Sequence, residues 1–250
     1  MGMIGKLVGG ALGFALGGPL GAIVGAAFGH AFDRDAESLQ PTDTQHLSAI
    51  EASQLAFFVG TFSMLAKLVK ADGQVSQKEL DVVVHFAEHD IGLTPAHRQV
   101  AMNIFNAALS SPARFEDFAV QFYQRFQGQP QLIEMLIDIL LRVSVADGSL
   151  KPSEEALILS AVRIFGLHQT RYDQIKSRYV ETANQAYKIL GCRKEDSVED
   201  IKRHYRQLVH SYHPDKFMAK GLPDEFIKLA NDKFREIQSA YEQIRRERHF

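Results

Sequence analysis

Seven glycines, Gly5, Gly9, Gly13, Gly17, Gly21, Gly25 and Gly29, recur at every fourth position. On a helix that spacing gathers them into one stripe without side chains, along which a second backbone can approach closely. From Leu7 to Gly29 there are 23 consecutive residues without Asp, Glu, Lys or Arg. At about 1.5 Å per residue, a helix of that length crosses a hydrocarbon core of about 30 Å. The stretch is therefore expected to be a transmembrane helix within an anchor over residues 1–35. Its glycine stripe is expected to pair it with a second copy of the chain, because in lipid helices associate by close packing and not by hydrophobicity.

Two other readings share this pattern. A secretory signal peptide would also carry a basic start, Lys6, but this apolar run exceeds the usual core of such a peptide. A glycine-rich hairpin, soluble or interfacial and broken at Gly18-Pro19, is the other, since glycine lowers both helix propensity and hydrophobicity. Flanking charge does not orient the segment: Lys6 precedes it and Arg34 follows it with Asp33 and Asp35 alongside.

Beyond the polar stretch 36–50, which contains Gln40-Pro41-Thr42-Asp43, the chain reads as all-α. Leu55–Val69 and Leu132–Val145 are helix-length apolar runs without strand-like alternation. Each runs into the same signature. Ala71-Asp72-Gly73 is followed by Glu79, and Ala146-Asp147-Gly148 by Glu154, so the Asp-to-Glu spacing is seven in both, 75 residues apart. This is the mark of a duplicated helix, turn, helix unit. Asp-Gly makes the turn, Ser76-Gln77-Lys78-Glu79 is a capping box, and Pro152 suits a first helical turn. A sharper reading lets Asp72, Glu79, Asp147 and Glu154 converge on a divalent cation, because hard ions take oxygen ligands. The spacing fits no EF-hand loop, and metal binding stays the lesser alternative.

The last part of the chain carries its own signals. Ile201, Tyr205, Leu208 and Tyr212 fall on one helical face after a Ser197/Asp200 cap, and Ala230, Phe234, Ile237, Tyr241 and Ile244 form a matching stripe. Two such stripes predict an antiparallel hairpin with residues 213–222 as its connecting loop. Charge is uneven: from Asn184 onward there are 14 Lys and Arg against 11 Asp and Glu, in a chain of net charge −2. That excess is too small for tracking a phosphate backbone, so nucleic acid is not an expected partner. Cys192, the single cysteine, excludes an internal disulfide framework and fits a reducing compartment.

Ala186-Tyr187-Lys188-Ile189-Leu190-Gly191, Ile201-Lys202-Arg203-His204-Tyr205-Arg206, Tyr212-His213-Pro214-Asp215-Lys216 and Lys233-Phe234-Arg235-Glu236-Ile237-Gln238-Ser239-Ala240-Tyr241-Glu242 follow one another in the order and spacing of a J-domain. Residues 184–250 thus resemble the J-domain family. The duplicated pattern at 50–180 is similar to TerB-like helical domains. From the glycine segment, which runs into His30-Ala31-Phe32-Asp33, to Ala219-Lys220-Gly221-Leu222-Pro223, the chain resembles the membrane-anchored branch of J-domain co-chaperones. Such proteins can carry a long glycine- and glutamine-rich spacer before the J-domain, whereas here Val180–Gln185 leaves almost none.

The resemblance implies a co-chaperone, not an enzyme, that needs no cofactor. It would recruit a DnaK-type chaperone and stimulate its ATPase through His213, Pro214 and Asp215, with Lys202, Arg203 and Arg206 as a basic face for the partner. It also implies a single-pass protein of the inner membrane with its C-terminal domains in the cytoplasm, where ATP is. The rival from another class is a metal-binding envelope-stress sensor acting through the middle domain.

Overall fold

The computed structural model describes residues 16–35, 48–73, 75–179 and 184–250, and among them every regular element is helical. The first helix, α1 (Gly18–Asp35), begins at a break in which Gly17 and Gly18 take φ of +59° and +53°. Glycine tolerates that left-handed backbone, and Pro19 has no N–H to donate. The polar groups freed at the break are met by one side chain. Gln121 Nε2 donates to the carbonyls of Leu16 and Gly17 at 2.9 and 2.8 Å, and Gln121 Oε1 accepts the Leu20 N–H at 2.8 Å. Of the helix expected over 7–29, residues 7–15 lie outside the described residues, and the chain breaks at the Gly17-Gly18-Pro19 step.

Gly17 therefore lies off the helix, Gly21 is buried and Gly25 exposed, and Gly29 falls within α1; Gly5, Gly9 and Gly13 lie outside the described residues. Leu20, Ile23 and Val24 of α1 are buried against the middle of the chain.

That middle is arranged around α2 (Ala49–Val69). Ser48 and Glu51 form its capping box: the Glu51 N–H donates to Ser48 Oγ at 3.2 Å and the Ser48 N–H to Glu51 Oε2 at 3.0 Å. Every residue from Leu55 to Ala66 is buried, so the helix is apolar all round and must be enclosed. Among the described residues α2 is the one helix long and apolar enough to cross a membrane, and its burial makes it a core helix instead. It is enclosed by α4 (Pro95–Ser110), α5 (Phe115–Phe126), α6 (Pro130–Ser144) and α7 (Pro152–Ile164). Against α5 the approach is close: a Cβ on Gly60 would come within 2.8 Å of the Phe122 ring.

The duplication is visible in three dimensions. α2 turns through Gly73 (φ +99°) towards α3 (Gln77–His85), and α6 turns through Gly148 (φ +113°) into α7. In each copy the glutamate seven residues after the aspartate caps the second helix: Glu79 Oε2 accepts the Ser76 N–H at 2.9 Å and Glu154 Oε2 accepts the Lys151 N–H at 3.3 Å. Turn and cap together account for the repeated spacing.

After α8 (Gln169–Lys176) and the short α9 (Gln185–Leu190), α10 (Val198–Ser211) and α12 (Ile227–Arg248) form the expected hairpin. Tyr205 and Tyr241 stack across it with ring centroids 3.9 Å apart and planes 9° apart. The connection differs from a plain loop. Residues 214–219 form a helical turn, α11 (Pro214–Ala219), and a 3-10 turn, Asp224–Phe226, precedes α12.

This hairpin is seated on the middle bundle. Phe226 is fully buried, edge-on to Phe57 at 5.1 Å and to Phe58 at 6.2 Å, so the C-terminal part contributes an aromatic ring to the core around α2.

Candidate functional site

The segment 212–216 is built by two helix ends. α10 starts at Ser197, whose Oγ accepts the Asp200 N–H at 3.1 Å, and closes with the Tyr212 N–H on the Leu208 carbonyl at 2.8 Å. His213 then caps α11. Its Nδ1 accepts the Asp215 N–H at 3.3 Å and its carbonyl the Lys216 N–H at 3.0 Å, and 47% of its side chain is exposed. Pro214 occupies the first helical position, where a missing N–H costs nothing.

The His213 ring rests edge-on against Phe234, with centroids 5.6 Å apart and planes at 76°. Asp215 has 83% of its side chain exposed, and its Oδ2 lies 3.5 Å from His213 Nδ1. His213, Asp215, Arg206, His210, Lys216, Tyr205 and Val209 line an open groove of about 460 Å³. Cations border it on two sides, and the Lys216 ammonium is 2.6 Å from His210 Nε2.

Of the three basic residues singled out on α10, Arg206 alone joins this groove. Arg203 is exposed and pairs with Asp200 at 2.5 Å, and Lys202 is half-buried with its ammonium 5.1 Å from the Phe250 ring centre. His210 and Lys216 were not anticipated, although Lys216 directly follows the tripeptide and His210 lies three residues before it.

Two further residues find partners that the sequence pattern does not specify. Tyr212 is 2% exposed, yet it turns away from its own hairpin: its hydroxyl donates to Glu134 Oε2 on α6 and accepts from Arg171 Nη2 on α8 at 2.5 Å. Lys233, 6% exposed, donates to Asp138 Oδ1, also on α6, and Arg178 Nη1 lies 3.4 Å from the same oxygen. Burial alone would raise the Asp138 carboxyl, but Lys233 and Arg178 outweigh it and hold it below the usual carboxylate range. Burial raises Glu134 too, and Arg171, bonded to both of its oxygens at 2.8 and 2.7 Å, more than reverses that. Position 233 lies three residues after Ala230 and four before Ile237, on the apolar face, and that was the available signal.

Two of the four acidic residues of the repeat hold a lysine. Lys151 Nζ donates to Glu79 Oε1 and lies 3.7 Å from Asp72 Oδ2, while Glu79, Asp147 and Glu154 line one small crevice. Burial is the main reason the Glu154 carboxyl is raised, with Asp147 and Glu79 adding to it. Among the described residues no group of three or more His, Cys, Asp or Glu side chains is placed to hold a metal ion.

Three family models match the chain in order. Residues 1–52 match the co-chaperone DjlA transmembrane domain, residues 58–177 the tellurite resistance protein TerB, and residues 185–249 the DnaJ domain. The co-chaperone protein DjlA of Coxiella burnetii is 31% identical over 213 residues, which is 78% of this chain and 78% of that protein. The chain belongs to the DjlA co-chaperone family. DjlA of Escherichia coli is 29% identical over 221 residues, 79% of this chain and 81% of its own length, and that of Shewanella oneidensis 28% over 218 residues, 82% and 83%. No solved structure matches.

Like the family, the chain is a membrane-anchored J-domain co-chaperone, with a TerB domain between anchor and J-domain. The segment 212–216 falls within the DnaJ match, and Glu134, Asp138 and Arg171 fall within the TerB match.

Proposed function

We propose that this DjlA-family chain recruits a DnaK-type chaperone to the cytoplasmic face of the inner membrane and stimulates its ATPase through His213, Pro214 and Asp215. The observation that carries this reading is the division of labour at the end of α10. Tyr212 and Lys233 face the TerB domain, while His213 and the largely exposed Asp215 face solvent on the groove that Arg206 and Lys216 border.

In this mechanism Arg206, with Arg203 and Lys202 further along α10, presents positive charge to an acidic surface of the partner, which speeds and orients encounter more than it tightens binding. Asp215 then pairs with a cation on the ATPase domain in a charge-assisted hydrogen bond. Pro214 fixes its own φ, and the cap on His213 fixes the neighbouring N–H groups, so the two side chains reach the partner in a set relation. Contacts made better to the hydrolysing state than to the resting one lower the partner's barrier. The chain itself turns over no substrate.

The domain limits we assign are 1–35 for the anchor, 50–180 for the TerB-like part and 184–250 for the J-domain. The anchor crosses the membrane once with the later domains in the cytoplasm, where ATP is, and pairs with a second copy through its N-terminal helix. Steady-state ATP turnover by a DnaK-type chaperone, titrated with the whole chain in detergent, tests the loop assignment: turnover rises with the unaltered chain and stays basal with Asp215→Asn. Equal stimulation by both would refute it.

A further inference from the structure

Glu134 and Asp138 are four residues apart on α6 and so share a face, about 6 Å apart along the axis. Each holds a different helix of the J-domain hairpin. Glu134 accepts the Tyr212 hydroxyl at the end of α10, in a cluster completed by Arg171, and Asp138 accepts from the Lys233 ammonium on α12. Neither touches the His-Pro-Asp segment. Yet the residue after Tyr212 is His213, the residue after Lys233 is Phe234, and those two rings are in contact.

The two carboxylates on α6 thus each hold a residue next to one of the two rings in that contact. Burial makes the hold firm. The side chains of Asp138 and Lys233 are 7% and 6% exposed, and those of Glu134 and Arg171 15% and 20%. Nε and Nη2 of Arg178, beside Asp138, lack a hydrogen-bond partner among the described residues, so what holds that cluster is the Lys233–Asp138 pair, and setting register is the best-attested use of buried ion pairs.

We propose that Glu134 and Asp138 are positioning residues for the His-Pro-Asp segment: the TerB domain holds the two J-domain helices in the register in which His213 rests on Phe234 and Asp215 projects to the partner. This rests on the reading of the loop given above and adds that the TerB domain sets its geometry.

The test uses the whole chain in detergent and two readouts. One is backbone amide hydrogen exchange at Asp215 and Lys216, whose N–H groups both bond to His213. The other is the single-turnover ATPase of a DnaK-type chaperone, resolved into maximal rate and half-saturating concentration. Tyr212→Phe removes the hydroxyl with little change of shape. Exchange at both amides is expected to quicken about tenfold, the scale of a lost hydrogen bond to a charged group, and the maximal rate to fall with the half-saturating concentration unchanged. Glu134→Ala should behave alike and Glu134→Gln should recover much of the loss, because a carboxamide oxygen still accepts.

A lowered melting temperature, with exchange and maximal rate both unaltered in Tyr212→Phe and Glu134→Ala, would overturn the proposal and leave the co-chaperone reading intact. If instead the two amides loosen as expected while even the unaltered chain fails to stimulate the ATPase, the positioning role stands and the proposed ATPase stimulation falls.

Discussion

Tyr212 and His213 are adjacent in the chain and face opposite ways: the Tyr212 hydroxyl bonds to Glu134 of the TerB domain, and the His213 ring, 47% exposed, lies against Phe234 on the solvent side. The J-domain is therefore mounted by its back, with the His-Pro-Asp segment outward.

Asp138→Asn leaves Lys233 and Arg178 buried without their shared counter-charge. Stability is expected to fall by about 3–5 kcal/mol, the usual effect of breaking a buried ion pair from one side. Adding Lys233→Met should restore part of it, with a coupling of about 1 kcal/mol or more in the double-mutant cycle. Urea unfolding followed by circular dichroism reads all four corners, and strict additivity would show that the pair does not interact.

The same carboxylates give the fold an acid limit. Glu134 and Asp138 are held below their ordinary range in the folded chain, so at low pH the unfolded chain binds more protons. Their contribution is complete above the unfolded value of about 4 and is lost as pH falls through the depressed folded values. The melting temperature should drop over that interval, and less steeply in Glu134→Gln. An identical acid slope in the variant would remove Glu134 from this account.

Gly60 fixes how closely α2 approaches α5. Gly60→Ala places a Cβ 2.8 Å from the Phe122 ring and is expected to cost about 1–3 kcal/mol through overpacking, although alanine is the better helix former. A thermal melt at or above that of the unaltered chain would mean that the two helices part without penalty.

Cys192 is 9% exposed, and burial pushes its thiol up to about 11. The thiolate is the reactive form, so labelling by a disulfide reagent near neutral pH should be slow while the chain is folded and rapid in denaturant. Equal rates would show that α9 and its turn open freely.

Much of this was legible in the sequence, and the reason is local. The repeat at Asp72 and Asp147 encodes a turn and a cap, both set within about ten residues, and the His-Pro-Asp tripeptide sits between two amphipathic stripes. What a stripe faces is a long-range matter. Periodicity put Tyr212 on a buried face without saying that the face belongs to a residue 78 positions earlier, and Lys233 reads as a solvated charge until Asp138, 95 positions away, is seen beside it. At the N-terminus Gly18-Pro19 marks a break in the sequence, but that Gln121, 104 positions after Gly17, satisfies the backbone there is again a long-range matter.

The most direct test of the central claim is single-turnover ATP hydrolysis by a purified DnaK-type chaperone with the whole chain added, beside the same chain carrying His213→Gln. The account predicts at least about tenfold faster hydrolysis with the unaltered chain, about 1.4 kcal/mol off the barrier, and none of that gain with His213→Gln. Equal acceleration by both chains, or none by the folded unaltered chain, would contradict it.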